Sequence, residues 1–142
     1  MKPVSVLLAK RALPVCSVQP DDTVFHALQV LAEHEVGALV VMEGDQLVGV
    51  ISERDYTRKV ALQNKSSKDT LVRDIMTRDV LVVTPKTGTR ACMQTMREKR
   101  IRHLPVVDAG KVTGMISIRD IMDDLLEEHE QTIAQLESYI AS

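Results

Sequence analysis

Two small clusters hold the side chains best suited to chemistry. Ser52 stands three residues before Asp55, and Ser117 three residues before Asp120, with Arg54 and Arg119 beside the acids. At a helix start, a hydroxyl and a carboxylate at this spacing are relatives of the capping box, each accepting a backbone N–H from the other's residue. A helix start also offers unpaired N–H groups and partial positive charge to a phosphate. A carboxylate one turn later can accept two hydrogen bonds from a ribose diol. The second cluster is a basic knot, Lys99, Arg100, Arg102 and His103, running into Leu104 and Pro105. Taken alone, such a knot is a solvated surface; beside an anion it becomes a phosphate contact.

The elements that must position these residues follow from an internal repeat. Sliding the chain by 65 positions places Pro20 on Pro85, Gln29 on Gln94, Glu33 on Glu98 and Val41 on Val106. The strongest match sets Gly49-Val50-Ile51-Ser52-Glu53-Arg54-Asp55 against Gly114-Met115-Ile116-Ser117-Ile118-Arg119-Asp120, with five of seven positions identical. A fixed period is the mark of a duplicated structural unit. Each copy predicts a short strand (15–18 and 80–83) ending at the proline, then a helix capped by Asp21 or Asp22 in the first copy and Thr87 in the second. Two apolar runs joined by Gly-containing turns, 43–46 and 108–111, predict a hairpin. Ser52 or Ser117 then opens another helix, so the unit is β-α-β-β-α, twice: an α/β (α+β) fold. The halves are expected at 7–64 and 78–130, joined by a connection at 65–77 carried by the polar run 63–69, and followed by an extension at 131–142. Neither half can cover its own sheet face and helix stripes, so they are expected to pack together about a pseudo-two-fold axis, leaving two related clefts. In the last helix Ile121, Leu125, Ile133, Leu136 and Ile140 form an apolar stripe that outlasts its counterpart and needs a cover, which predicts a homodimer.

Composition narrows the function further. Apolar residues are 44% and charged residues 27% with a formal net charge of −2, so nothing draws the chain globally to nucleic acid or to an anionic membrane. Two tyrosines and one phenylalanine offer little for base stacking. The apolar stretches are too short to cross a bilayer, and the six uncharged residues before Lys10 too short for a signal-peptide core; a cytoplasmic protein is expected. Cys16 and Cys92 form no CxxC pattern and are expected as buried free thiols. His26, His34, His103 and His129 share no metal-ligand spacing, and there is neither a nucleophile elbow nor a glycine-rich phosphate loop, so no metal and no catalysis are expected.

With its paired Gly-x-x-Ser-x-x-Asp blocks behind matching helices and hairpins, the chain resembles the CBS domain family from about Leu7 to Glu130. The resemblance implies a repeat pair, or Bateman module: a non-catalytic regulatory unit with adenosyl ligands in the clefts between repeats, often a disc-like dimer. It carries the ribose role to Asp55 and Asp120, with Ser52 and Ser117 near the ribose or phosphate. Arg54, Arg119, Arg100, Arg102 and His103 become candidate phosphate contacts, and Val18, Gly37, Ala38, Val83, Thr84, Leu104 and Pro105 candidate cleft walls. The first-repeat stretch from Glu35 to Met42 lacks the charges and proline of Arg100 to Val107, so unequal clefts are expected. The knot ranks AMP first as ligand and NAD(H) second, then ADP and ATP, above the positively charged S-adenosylmethionine. The alternative is a ligand-free dimerisation or interaction module regulating a partner enzyme, through the acidic C-terminal helix.

Overall fold

The computed structural model describes residues 2–11 and 15–141; Ser142, the end of the expected extension, lies outside them. Helix α1 (Val4–Arg11) precedes the first repeat, which comprises β1 (Ser17–Val18), α2 (Val24–His34), β2 (Ala38–Glu43), β3 (Gln46–Ser52) and α3 (Glu53–Tyr56), the last running into a π-helical turn at Thr57–Ala61. A short α4 (Val72–Ile75) leads into the second repeat, α5 (Thr89–Lys99), β4 (His103–Asp108), β5 (Lys111–Ser117) and the long α6 (Ile118–Ala141).

The hairpins close as their turn residues demand. Glu43 pairs with Gln46 and Asp108 with Lys111, and the two-residue turns use left-handed Gly44, Ala109 and Gly110, the backbone that matches the twist of antiparallel strands. Both hairpins shift register at equivalent places, Val41/Met42 and Val106/Val107. Helices α2 and α5 each end on a left-handed residue, Glu35 and Arg100. The following N–H reaches back five residues, from Val36 to Leu31 and from Ile101 to Met96, which satisfies carbonyls at the helix end.

Three local expectations are corrected. Strand β1 pairs in parallel with β2, but its expected counterpart at 80–83 makes only one bridge, Val83 to Val106. Leu81 and Val82 are exposed there, because β-branched residues make a strand only where a neighbour supplies the ladder. Helix α2 is capped by Thr23, whose Oγ1 accepts the His26 N–H at 3.1 Å, while Asp22 accepts from the Gln19 N–H in the preceding turn. The cap of α5 is Gly88, with no side-chain bond; the Thr87 hydroxyl accepts from the Thr84 N–H.

Two cores form, and each borrows chain from beyond its own repeat. The first gathers Val18, Val24, Ala27, Leu31, Leu39, Val41 and Ile51, and adds Val72, Ile75 and Met76 from α4 and the residue after it. The second gathers Cys92, Met96, Leu104, Val106, Ile116 and Ile121, and adds Val4 and Leu7 from α1. Backbone hydrogen bonds fix both crossings in the same way. Val72 N–H donates to Asp22 O, Arg73 to Pro20 O and Val24 to Thr70 O; Val4 donates to Thr87 O, Ser5 to Pro85 O and Thr89 to Lys2 O. The repeated residues are 65 apart, but the borrowed segments correspond at 68.

This crossing explains the repeated glycine. A Cβ at Gly49 would stand 2.7 Å from Met76 Sδ and 3.0 Å from the Thr77 carbonyl oxygen; one at Gly114 would stand 2.9 Å from Leu8 Cδ2. Leu8 can rotate away, whereas the Thr77 backbone is held by mutual bonds with Val50. Gly49→Ala is therefore expected to cost about 1–3 kcal/mol and Gly114→Ala less, as read from denaturant midpoints; equal losses would contradict the assigned crossings.

Candidate functional site

A cavity of about 690 Å³ opens between the repeats. From the first repeat it takes Cys16, the end of α2 with Glu35, the turn through Gly37 and Ala38, and Glu53. The second repeat contributes Arg102, His103, the β5 stretch Thr113 to Met115, and the α6 start with Ser117, Ile118, Arg119 and Asp120, then Asp123 one turn on. Leu8 of α1 completes the wall. The two repeats meet closely here, since a Cβ on Gly37 would stand only 3.4 Å from the His103 imidazole.

The Ser-x-x-Asp pairs form reciprocal caps. Asp120 Oδ2 accepts the Ser117 N–H at 2.8 Å and Ser117 Oγ accepts the Asp120 N–H at 3.1 Å. Asp55 Oδ2 accepts the Ser52 N–H at 2.9 Å and also the Ser52 hydroxyl at 3.0 Å. The copies diverge one turn later. Lys59 Nζ lies 3.1 Å from Asp55 Oδ1, whereas the position matching Lys59 in the second repeat is Asp124. A ligand hydroxyl approaching Asp55 must compete with an ammonium already there.

The candidate residues thus divide into two groups. Ser117, Arg119, Asp120, Arg102, His103, Gly37 and Ala38 line this cavity; Ser52, Arg54, Asp55, Arg100, Val18, Val83, Thr84, Leu104 and Pro105 do not. Val18 and Leu104 sit in the cores, Pro105 is buried and Thr84 is exposed. Arg54 reaches across the repeats to donate from Nη1 to Arg100 O at 3.2 Å. The knot is split at Arg100, whose left-handed backbone ends α5, so only Arg102 and His103 enter the cleft. Thr113 and Met115 were missed, although they flank Gly114 with the two-residue period of a strand. Asp123 follows Asp120 at helical spacing, a further signal in the sequence. Cys16 is only half-buried at the cavity, correcting the expectation of two buried thiols; Cys92 is fully buried, and burial pushes its thiol pKa up.

The CBS domain family model matches this chain twice, at residues 9–62 and 72–127. The chain belongs to the CBS domain family. The CBS pair is 45% identical over 125 residues to the mitochondrial CBS domain-containing protein CBSX3 of Arabidopsis thaliana, covering 84% of this chain and 61% of that protein. The crystal structure of the CBS domain protein NE2398 superposes with a TM-score of 0.84 at 45% identity, over 88% of this chain and 98% of that one. The CBS domain protein PAE2072 from Pyrobaculum aerophilum, solved in complex with AMP, gives a TM-score of 0.75 at 30% identity, over 84% and 89% of the two chains. Among the described residues, no helix is long and apolar enough to cross a membrane, and no group of His, Cys, Asp and Glu side chains is placed to hold a metal ion.

One ionic clamp in the CBS pair ties α1 beside the cleft. Asp124 Oδ1 accepts from Lys2 Nζ at 2.9 Å and from Lys10 Nζ at 3.3 Å, with the carboxylate side chain only 3% exposed. Lys10 also reaches Glu127, and these contacts hold its own pKa above the ordinary value. A smaller cavity of about 180 Å³, bounded by Leu7, Lys10, Asp120, Asp123, Asp124 and Glu127, adjoins the clamp, so Asp120 borders both spaces. Burial alone would raise the Asp124 pKa, but the Lys2 and Lys10 contacts outweigh it and hold the carboxyl below its ordinary 3.8. A carboxyl depressed on folding adds stability above its unfolded pKa and loses it as pH falls through the folded value. Wild type is expected to exceed Asp124→Asn by about 1–3 kcal/mol at pH 7, with the gap closing only as pH falls below about 3.8; paired denaturant titrations across pH measure it, and a gap that closes above pH 5 would be inconsistent.

Proposed function

We propose that this chain is a non-catalytic sensor that holds an adenosine-type nucleotide in the cleft between its two CBS repeats and signals through their relative packing. The observation carrying this reading is the convergence of Asp120, Arg102 and His103 on one cavity, opposite Gly37 and Ala38. Asp120 offers the carboxylate a ribose diol needs, at a helix start with its partial positive charge. Arg102, His103 and Arg119 supply the charge for a phosphate, so AMP ranks first, NAD(H) second, then ADP and ATP. AMP bound to PAE2072 supports this class of ligand. Ser52, Arg54 and Asp55 belong to a weaker second site, since Lys59 already occupies Asp55. No resident metal is proposed. The protein is a homodimer built through the CBS disc and the C-terminal helix, in the cytoplasm, and it acts on an unidentified regulated protein, with neither nucleic acid nor membrane as its target. An interaction module without ligand is the second reading, favoured by the exposed apolar residues of α6.

A hydrogen bond to a charged group contributes about 1.5–3 kcal/mol, which is roughly ten- to hundredfold in affinity. Titration calorimetry is expected to show Asp120→Ala losing that much AMP affinity and Asp55→Ala much less; identical affinities and stoichiometries in both variants would refute unequal sites. The purified protein is expected to release material absorbing at 260 nm on denaturation, and silence toward every adenosyl ligand would transfer the case to the interaction module. Replacing Arg102 and His103 together by Ala is expected to weaken AMP more than adenosine. Equal weakening would remove the phosphate role.

A further inference from the structure

The apolar residues that α6 leaves exposed have a period of their own. Met122, Leu126, Ile133, Leu136 and Ile140 are all exposed, and with His129 they follow one another at intervals of four, three, four, three and four. That is a heptad seam, narrower than the stripe a helix needs to cover a globular core. The face turned to the helix's own repeat is different: Ile121 and Asp124 are buried and Leu125 is half-buried. At about 100° per residue, the seam lies roughly a quarter-turn from that face. The helix has one side for its own core and another for a second helix.

Charge and layer order select the occupant. No Lys or Arg follows Arg119, and one flank of the seam carries Asp123, Glu130 and Glu137 while the other begins with Leu125 and Thr132. When two copies run parallel, the acidic flank of each meets the neutral flank of the other. Antiparallel copies would set acid against acid, which is destabilising. In a parallel pair His129 meets His129 of the second copy in one layer, whereas the antiparallel pair sets His129 against Ile133 in two. A single polar core layer fixes register, and Ile133 and Ile140 alternating with Leu136 is the β-branched and Leu order that favours two strands.

We propose that residues 122–140 pair with the same stretch of a second copy as a parallel, in-register two-stranded coiled coil, which deepens and rests on the dimer reading above. The seam is about 28 Å long, short enough that it orients a dimer also held elsewhere. In a Cys16→Ser background, Leu136→Cys is expected to cross-link completely to a dimer on mild oxidation, and Leu136→Glu to weaken dimerisation at least tenfold by light scattering. AMP titration of Leu136→Glu is expected to be unchanged, since Leu136 is outside the cleft. Cross-linking of mixed Met122→Cys and Ile140→Cys proteins, with Leu136→Cys inert, would overturn the parallel arrangement. A dimer insensitive to Leu136→Glu would overturn the coil while leaving the dimer, and a monomeric wild type at tens of micromolar would overturn both.

Discussion

The architecture depends on one exchange: each repeat completes its core with the segment that precedes the other repeat in sequence. Val4 and Leu7 enter the second core, and Val72, Ile75 and Met76 the first. Three backbone hydrogen bonds hold each segment against the turn that opens the opposite helix. Buried backbone groups must be paired, so these bonds fix where the borrowed segments lie, and the side chains follow. The glycines of β3 and β5 yield the space the crossings require.

Because the exchange is symmetric but the sequences are not, the two interfaces inherit different chemistry. At one, Lys59 clamps Asp55 and also donates to Ile75 O at 2.8 Å, tying the helix to the borrowed α4. At the other, the matching position is Asp124, and the cations come from the borrowed α1 itself. The same structural task, fastening a foreign segment, is done with the charges reversed. One arrangement sets an ammonium on the motif carboxylate Asp55; in the other two ammonium groups meet Asp124, one turn beyond Asp120 at the wide cavity.

Most of the repeat unit was legible because its signals are local. The 65-residue offset located both hairpins and both helix starts at serine, and with the second of these Ser117, Arg119 and Asp120 of the large cavity, while Arg102 and His103 were marked by the basic knot. The exchange was not legible, since its contacts correspond at a different offset and run through backbone groups that leave no trace in residue type. Val4, Leu7 and Leu8 do have helical spacing, but nothing in eight residues says which core they enter. The 80–83 run failed as a strand for a related reason: its apolar character was real, and its ladder partner was not available beyond Val83. The cleft preference was partly readable, because Lys59 and Asp124 occupy equivalent positions in the two copies.

The exchange also sets the order in which this fold can be made. The Lys2 to Asp124 contact joins residues 122 positions apart, so α1 must wait through synthesis of nearly the whole domain before its apolar face finds shelter. The first core closes sooner, once Met76 has cleared the ribosome. Until Ile121 has been made, Val4 and Leu7 lack the core that covers them, and because an isolated helix of eight residues is marginal in water, α1 gains its stability only together with the second core.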